Sequence, residues 1–471
     1  MQRNRFFLIF SSVFIFLLFF LSPLDPDLGW HLRYGEYFAK TLHFLQTNTL
    51  TYYLPGYFWQ NSYSLYQIIV YFIYKSFGLL GLNFAFSSLM TAAYYFLAKT
   101  YPRFVKTSFI LFILISIFCW HIFFGGIRSQ LFSFFFTTFT FYLLEKSDSN
   151  PRVLYFLPPV FLIWANVHGA FPFGLLIFLA FLLNKILRKE KNIYLTSTVF
   201  IISLVATLIN PYGFGVYKEG LTHITYPLGN LIIEWLPPPL TYILIIIFSV
   251  IFTTISIFLS KSNKKIYFLV LISVFTILSF MSRRNIPYIA LVIAESLLCI
   301  FQEKLVIFEK NQKVTEFSIV GIILGLLYVF TSVLPANYIT SMNSDAYCFN
   351  RFVTYPCKAV QFLKESSIKN ENIFANYEWG GYLEWVLPEN KYFVDGRMPT
   401  WKTPENLSPY TVYLDVMQVQ PGYEDTLDKY KTDILLIVPE GFLDRELKNN
   451  QSVWNEIYRD NISVIYSRKH I

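Results

Sequence analysis

The chain has 471 residues, 55% hydrophobic and 20% aromatic but only 14% charged; soluble globular domains carry about 25% charged residues, so a water-soluble enzyme is excluded. The net charge of +8 is uneven: residues 1–335 hold 24 Lys and Arg against 12 Asp and Glu, and residues 336–471 hold 14 against 18. A basic, apolar membrane body is thus followed by a mildly acidic globular domain, whose sign is wrong for binding nucleic acid.

The first apolar run, residues 6–22, follows Arg3 and Arg5, which puts the N-terminus in the cytoplasm. Ser22-Pro23-Leu24-Asp25 is not a signal-cleavage site, so the run reads as a span. Apolar runs at 82–98, 107–124, 128–144, 153–167, 170–187, 193–209, 240–260, 266–281, 286–301 and 316–334 complete a polytopic α-helical membrane protein of eleven spans. Residues 63–80 are apolar too, but Lys75 interrupts them and tyrosines stand at 63, 66, 71 and 74. Laid along the outer interface, this stretch keeps the Lys99, Arg103 and Lys106 loop inside. Eleven spans then put the C-terminal part outside. The expected division is a transmembrane module over 1–336, with a long first outer loop at 23–81, and an extracytoplasmic α/β domain over 337–471.

In that domain a helix is expected at 358–364, strands at 372–375, 391–394, 433–438 and 462–467, and a polar helix running through Trp454. Trp379-Gly380-Gly381-Tyr382 reads as a tight strand-to-helix turn or as part of an acceptor site, with Asp395 and Arg397 paired at the end of the next strand. Cys348 and Cys357 pair if the domain faces an oxidising compartment, whereas Cys119 and Cys299 lie in apolar runs as small core residues.

The informative charges are those that break the membrane pattern. Asp25 and Asp27 come directly after the first span, in Leu24-Asp25-Pro26-Asp27-Leu28-Gly29-Trp30-His31, and no acid occurs again from Tyr37 to Leu144. Carboxylates at a bilayer edge are costly without a role. A helix cap explains one aspartate better than two; together with His31 they could form a general base or hold a divalent cation. Arg128, in the turn Gly125 to Gln130, and Arg283-Arg284 fill short outer turns, where guanidinium forks suit a phosphate. The other outer turns set polar groups beside aromatics: Asn166 and His168 after Trp164, Asn210-Pro211-Tyr212-Gly213, and Glu234-Trp235. Each alone ends a helix; together they outline a polar, aromatic cavity fit for a sugar on a lipid carrier.

A short first span leading into Asp25-x-Asp27 and a long outer loop resembles the GT-C superfamily of polytopic glycosyltransferases, which includes protein O-mannosyltransferases, aminoarabinose transferases and oligosaccharyltransferases. The segments Arg128-x-Gln130, Trp164-x-Asn166-x-His168-Gly169, Asn210-Pro-Tyr-Gly213, Glu234-Trp235, Arg284-Asn285, Asn376 to Trp385 and Phe393 to Arg397 look like a bacterial branch of it without an assigned acceptor. The resemblance implies transfer of a sugar from a polyprenyl-phosphate donor to a glycan, lipid or protein acceptor on the outer face of the cytoplasmic membrane. It puts the catalytic role on Asp25 and Asp27, with Asp25 as base and Asp27 as partner. Arg128, Arg283 and Arg284 would bind the donor phosphate, and His31, Asn166, His168, Glu234 and Trp235 the substrate. A divalent cation is an option, although the second outer loop, Gly125 to Gln130, lacks the acid found in oligosaccharyltransferases. A transporter or flippase of lipid-linked glycans would call for mid-span charges and internal repeats, and an envelope scaffold would give no reason for the outer aspartates and arginines.

Overall fold

The computed structural model describes residues 2–20, 25–124, 126–225, 232–342, 346–349, 353–366, 368–403, 406–449 and 453–469. The expectations that touch Ser22 to Leu24 and Gly125 lie outside them. The chain forms two compact units that are not two halves of the sequence. One comprises Met1–Ser22, Leu79–Gly220 and Ile232–Ile339, and the other Pro23–Gly78, Leu221–Leu231 and Thr340–Ile471.

The first unit is helical. Among the described residues three helices are long and apolar enough to cross a membrane: Leu240–Leu259 in this unit, and Ser64–Thr100 and Glu316–Met342, of which the parts from Leu79 and up to Ile339 belong to it; shorter apolar helices include Asn4–Leu18, Val105–Phe118, Pro151–Val167, Phe171–Leu187, Ile193–Ala206 and Lys265–Met281. The Ser64–Thr100 helix is broken at Gly78, whose φ of 61° only glycine adopts easily. Its two arms are the stretches 63–80 and 82–98 that the sequence separates. Leu244, Phe248, Phe252, Ile255 and Phe258 on Leu240–Leu259 are exposed, as a face meant for lipid rather than water would be. The helices Gln130–Ser147, Leu157–Val167, Phe171–Leu187 and Ile193–Ala206 pack on one another, and Lys265–Met281 joins Phe171–Leu187 to Ile286–Ile300.

The second unit is built on a five-stranded sheet of order β2-β1-β3-β5-β4. β1 (Asn372–Ala375) runs parallel to β2 (Lys391–Tyr392) and to β3 (Ile434–Ile437); β5 (Val464–Arg468) is antiparallel to β3 and to β4 (Trp454–Arg459). The apolar run of β3 is buried along its whole length, as a central strand covered on both faces should be. The expected polar helix ends at Asn449, and Trp454 opens an edge strand instead of closing that helix. Asn455 and Glu456 on this edge are exposed, so β4 shows little of the apolar signal of a strand. The segment that follows the first helix is part of the same core: Trp30, Tyr34, Tyr53 and Trp59 pack with Phe374, Phe393, Trp401 and Tyr466. Thr51 also bridges Tyr392 in parallel, and the Tyr52 N–H donates to the Tyr392 carbonyl at 3.0 Å. Cys348 and Cys357 form a disulfide in this unit.

Candidate functional site

In the second unit, Asp25-Pro26-Asp27 turns into the helix Leu28–Thr41. Asp25 is 3% exposed; its carboxylate accepts the Asp27 N–H at 2.9 Å and its carbonyl the Leu28 N–H at 3.1 Å. Asp25 therefore braces the turn. Asp27 occupies the N-cap position but its carboxylate does not cap the helix. Its Oδ1 instead accepts the Trp30 indole N–H at 3.0 Å, and the residue is half-buried. The His31 ring lies among aromatics, 3.6 Å from the Trp30 ring and 4.7 Å from Tyr66, centroid to centroid. Among the described residues, no three His, Cys, Asp or Glu side chains gather as a metal would need. This donor set does not fit a cation.

In the first unit, turns far apart in sequence meet at one end of the helix Gln130–Ser147. Arg128, just before this helix, ion-pairs with Glu234, and Arg284 Nε lies 4.0 Å from the same carboxylate. The Arg284 guanidinium sits 4.8 Å from the Trp235 ring centroid, within cation–π range. Arg283 is tied back by its N–H to the Leu236 carbonyl at 3.1 Å and by Nε to the Pro237 carbonyl at 3.2 Å. The Gln130 amide donates to the Arg284 carbonyl at 3.1 Å. Burial raises the pKa of Glu234, but the Arg128 and Arg284 charges outweigh that and hold it at about 2. The pair's contribution to stability is therefore complete above the unfolded carboxylate value of about 4.3, and it is lost only as pH falls toward about 2. Two guanidinium groups share one carboxylate here, so these three side chains together carry a positive charge suited to an anion.

Below this layer, the Trp164 indole N–H donates to Ser133 Oγ at 2.7 Å, and Ser133 Oγ lies 2.7 Å from His168 Nδ1. The Ala170 N–H also points to Nδ1, at 3.4 Å. The Ser133–His168 hydrogen bond can run in either direction, according to the tautomer of the ring. Asn166 is occupied with the fold: its amide donates to the carbonyls of Leu162 and Ile209, both at 2.8 Å.

The structure thus brings Arg128, Arg284, Glu234 and Trp235 together in one unit and keeps Asp25, Asp27 and His31 in the other. Sequence reasoning missed Ser133, a serine in a Phe-rich helix that only its partners reveal. It also left the pairing of Glu234 with the arginines unseen.

No family model and no curated protein matches this chain. Solved structures do. The oligosaccharyltransferase AglB of Archaeoglobus fulgidus, in a complex with an inhibitory peptide and a dolichol-phosphate, aligns over 99% of this chain and 74% of its own at 12% identity, with a TM-score of 0.64. The arabinofuranosyltransferase AftD from Mycobacteria gives 0.59 at 11% identity, over 99% of this chain and 40% of its own. ArnT from Cupriavidus metallidurans gives 0.55 at 11% identity, over 99% and 98%. These neighbours are GT-C glycosyltransferases, and the chain has the fold of that class of membrane enzyme.

Proposed function

We propose that this protein is a membrane glycosyltransferase that moves a sugar from a polyprenyl-phosphate carrier to an acceptor hydroxyl on the outer face of the cytoplasmic membrane. The observation that carries the reading is the cationic cluster of Arg128 and Arg284 around Glu234, beside Trp235. Arginines gathered at short turns suit a lipid-borne phosphate. The Cys348–Cys357 disulfide supports an oxidising, extracytoplasmic setting for the C-terminal domain, and eleven spans are the topology that agrees with it.

In the reaction, Asp27 takes the acceptor hydroxyl proton while the acceptor oxygen attacks the anomeric carbon. The bond from that carbon to the phosphate oxygen breaks and its electron pair leaves on the phosphate. One displacement inverts the anomeric centre. We assign the base to Asp27 because Asp25 is buried and engaged with the Asp27 amide, which reverses the roles expected from the sequence. His168 and Trp235 are assigned to the donor site, as the sequence suggests.

The test is mass spectrometry of lipid-linked sugars and envelope glycans with and without the protein. The expected result is accumulation of one polyprenyl-phosphate sugar and loss of one glycan modification. Identical profiles in both strains would overturn the reading.

A further inference from the structure

An aspartate that serves as a base must hold its carboxylate in one direction, and the turn carrying Asp27 is gripped by glycines. A Cβ on Gly396 would stand 1.9 Å from Asp27 Oδ1, a Cβ on Gly381 2.3 Å from the Pro26 carbonyl oxygen, and a Cβ on Gly29 1.7 Å from the Gly381 carbonyl oxygen. None of these three glycines has the left-handed backbone that would itself demand glycine. At Gly29 and Gly381 the obstacle is a backbone carbonyl, so space alone excludes a side chain there. At Gly396 the excluded space is filled by the Asp27 carboxylate.

The Gly396 turn is itself fixed. Asp395 and Arg397 on either side form a fully buried ion pair, with the Arg397 N–H and Nε donating to Asp395 Oδ1 at 2.8 and 2.9 Å. Arg397 Nη1 also donates to the Tyr34 hydroxyl at 2.7 Å. Tyr34 lies about two turns along the helix that Asp27 begins. The outer domain thus grasps one helix at two points: at its first turn by backbone contact and further along by a buried guanidinium. The Trp30 indole holds the carboxylate from within the helix.

We propose that the outer α/β domain is a positioning element for transfer, in which the Asp395-Gly396-Arg397 turn, together with the Trp30 indole, sets the direction of the Asp27 carboxylate. This rests on Asp27 acting in transfer as proposed above. It gives the domain a part in the reaction without requiring it to touch the substrate.

The test uses the full-length protein in lipid nanodiscs. Gly396→Ala places a methyl group where the carboxylate tip lies, and a flexible side-chain tip yields at little cost to folding. Turnover should fall about tenfold to a hundredfold, the cost of a displacement of about 1 Å at a reacting group, with an unchanged KM for the donor and an unchanged melting temperature. The Trp30 indole N–H resonance, assigned by its loss in Trp30→Phe, should move in Gly396→Ala as it does in Asp27→Asn. Gly441→Ala, whose methyl group would meet Val438 at an ordinary 3.5 Å, should change neither. An unmoved Trp30 resonance in Gly396→Ala would overturn the clamp, whatever the transfer assay reads. A moved resonance with wild-type turnover would overturn its role in the reaction. If Asp27→Asn also keeps full transfer, it is the base assignment that has failed. Should Gly396→Ala not fold, Trp30→Phe removes the same hydrogen bond, and wild-type turnover in that variant would overturn the proposal as well.

Discussion

The helix Gln130–Ser147 has an ionic cluster at each end, and the two are built differently. At one end Lys264 bridges Glu145 and Asp148, each at 2.7 Å, and Lys185 bridges Asp148 at 2.9 Å and Glu190 at 3.3 Å. Arg188 adds a contact to Glu190 at 3.3 Å, so these side chains sum to three positive and three negative charges. Burial alone would lower the pKa of Lys264, but Glu145 and Asp148 overcome it and raise it; burial likewise raises Asp148, and the two lysines bring it down. At the other end two guanidinium groups, Arg128 and Arg284, face one carboxylate, Glu234. A neutralised cluster can hold loops together and ask for nothing more. Two arginines on one carboxylate in short turns make a setting that suits an anion.

The contrast separates substitutions that stop turnover from those that loosen the fold. The largest effect is expected at the aspartate turn that supplies the base. Asp27→Asn should cut sugar transfer about 10² to 10⁴-fold, the usual contribution of a general base, with a melting temperature close to wild type. Asp25→Asn should weaken the turn and cost less activity. Full transfer by both variants in a reconstituted assay would remove the carboxylates from the chemistry.

Next in size is the arginine cluster. Replacing Arg128 and Arg284 together with Gln should reduce turnover about 10² to 10³-fold, as loss of preorganised charge stabilisation does elsewhere. Folding should survive, because Glu234 regains water when its partners go. Turnover at the wild-type rate would show that the two arginines bind nothing used in transfer. The balanced end should behave in the opposite way: Lys264→Gln leaves two carboxylates facing each other and should cost about 2 to 3 kcal/mol, read by denaturant titration. The fraction that folds should transfer sugar normally, and a selective loss of turnover would break the contrast.

How much of this was legible in the sequence differs between the units. Apolar runs of membrane length announce helices whatever they pack against, so the helical body could be read. So could β1, β3 and β5, whose apolar stretches lie inside the sheet. β4 could not, because on an edge strand only Trp454 needs to be buried. Outer arginines stood out because they break the charge pattern of a membrane protein. The pairing of Arg128 with Glu234 spans 106 residues, and nothing local encodes it. The glycine clamp was equally hidden, since a glycine that exists to make room reveals its purpose only when the neighbour filling that room is known. The first outer loop and the C-terminal domain share one core for the same reason: aromatic residues at 30, 34, 53 and 59 carry no mark of the distant partners they pack against.

The smallest effect is expected where the balance rule is applied inside the second unit. Arg397 is buried between Asp395 and Glu384, with its Nη2 at 3.4 Å from Glu384 Oε1, and two ionised carboxylates would leave a negative excess in the core. Burial, reinforced by the charge of Asp395, raises the pKa of Glu384 well above the carboxylate range, and Arg397 does not reverse it. That direction favours the protonated form of Glu384, with which the cluster is neutral like that around Lys264. The sign follows from linkage: a raised folded pKa means that the folded state holds a proton the unfolded chain gives up above about 4.3. Its contribution is full below that value and declines as pH rises toward the folded pKa. Glu384→Gln has nearly the shape and charge of the protonated acid, so at pH 4, below the unfolded carboxyl value, its stability should match wild type to within about 0.5 kcal/mol. From pH 4 to pH 8 the wild-type melting temperature should fall more steeply than that of the variant, and the two curves should separate in favour of glutamine. Parallel curves would mean that Glu384 is ionised and that a buried cluster here tolerates the imbalance found at the Arg128 end of the membrane unit.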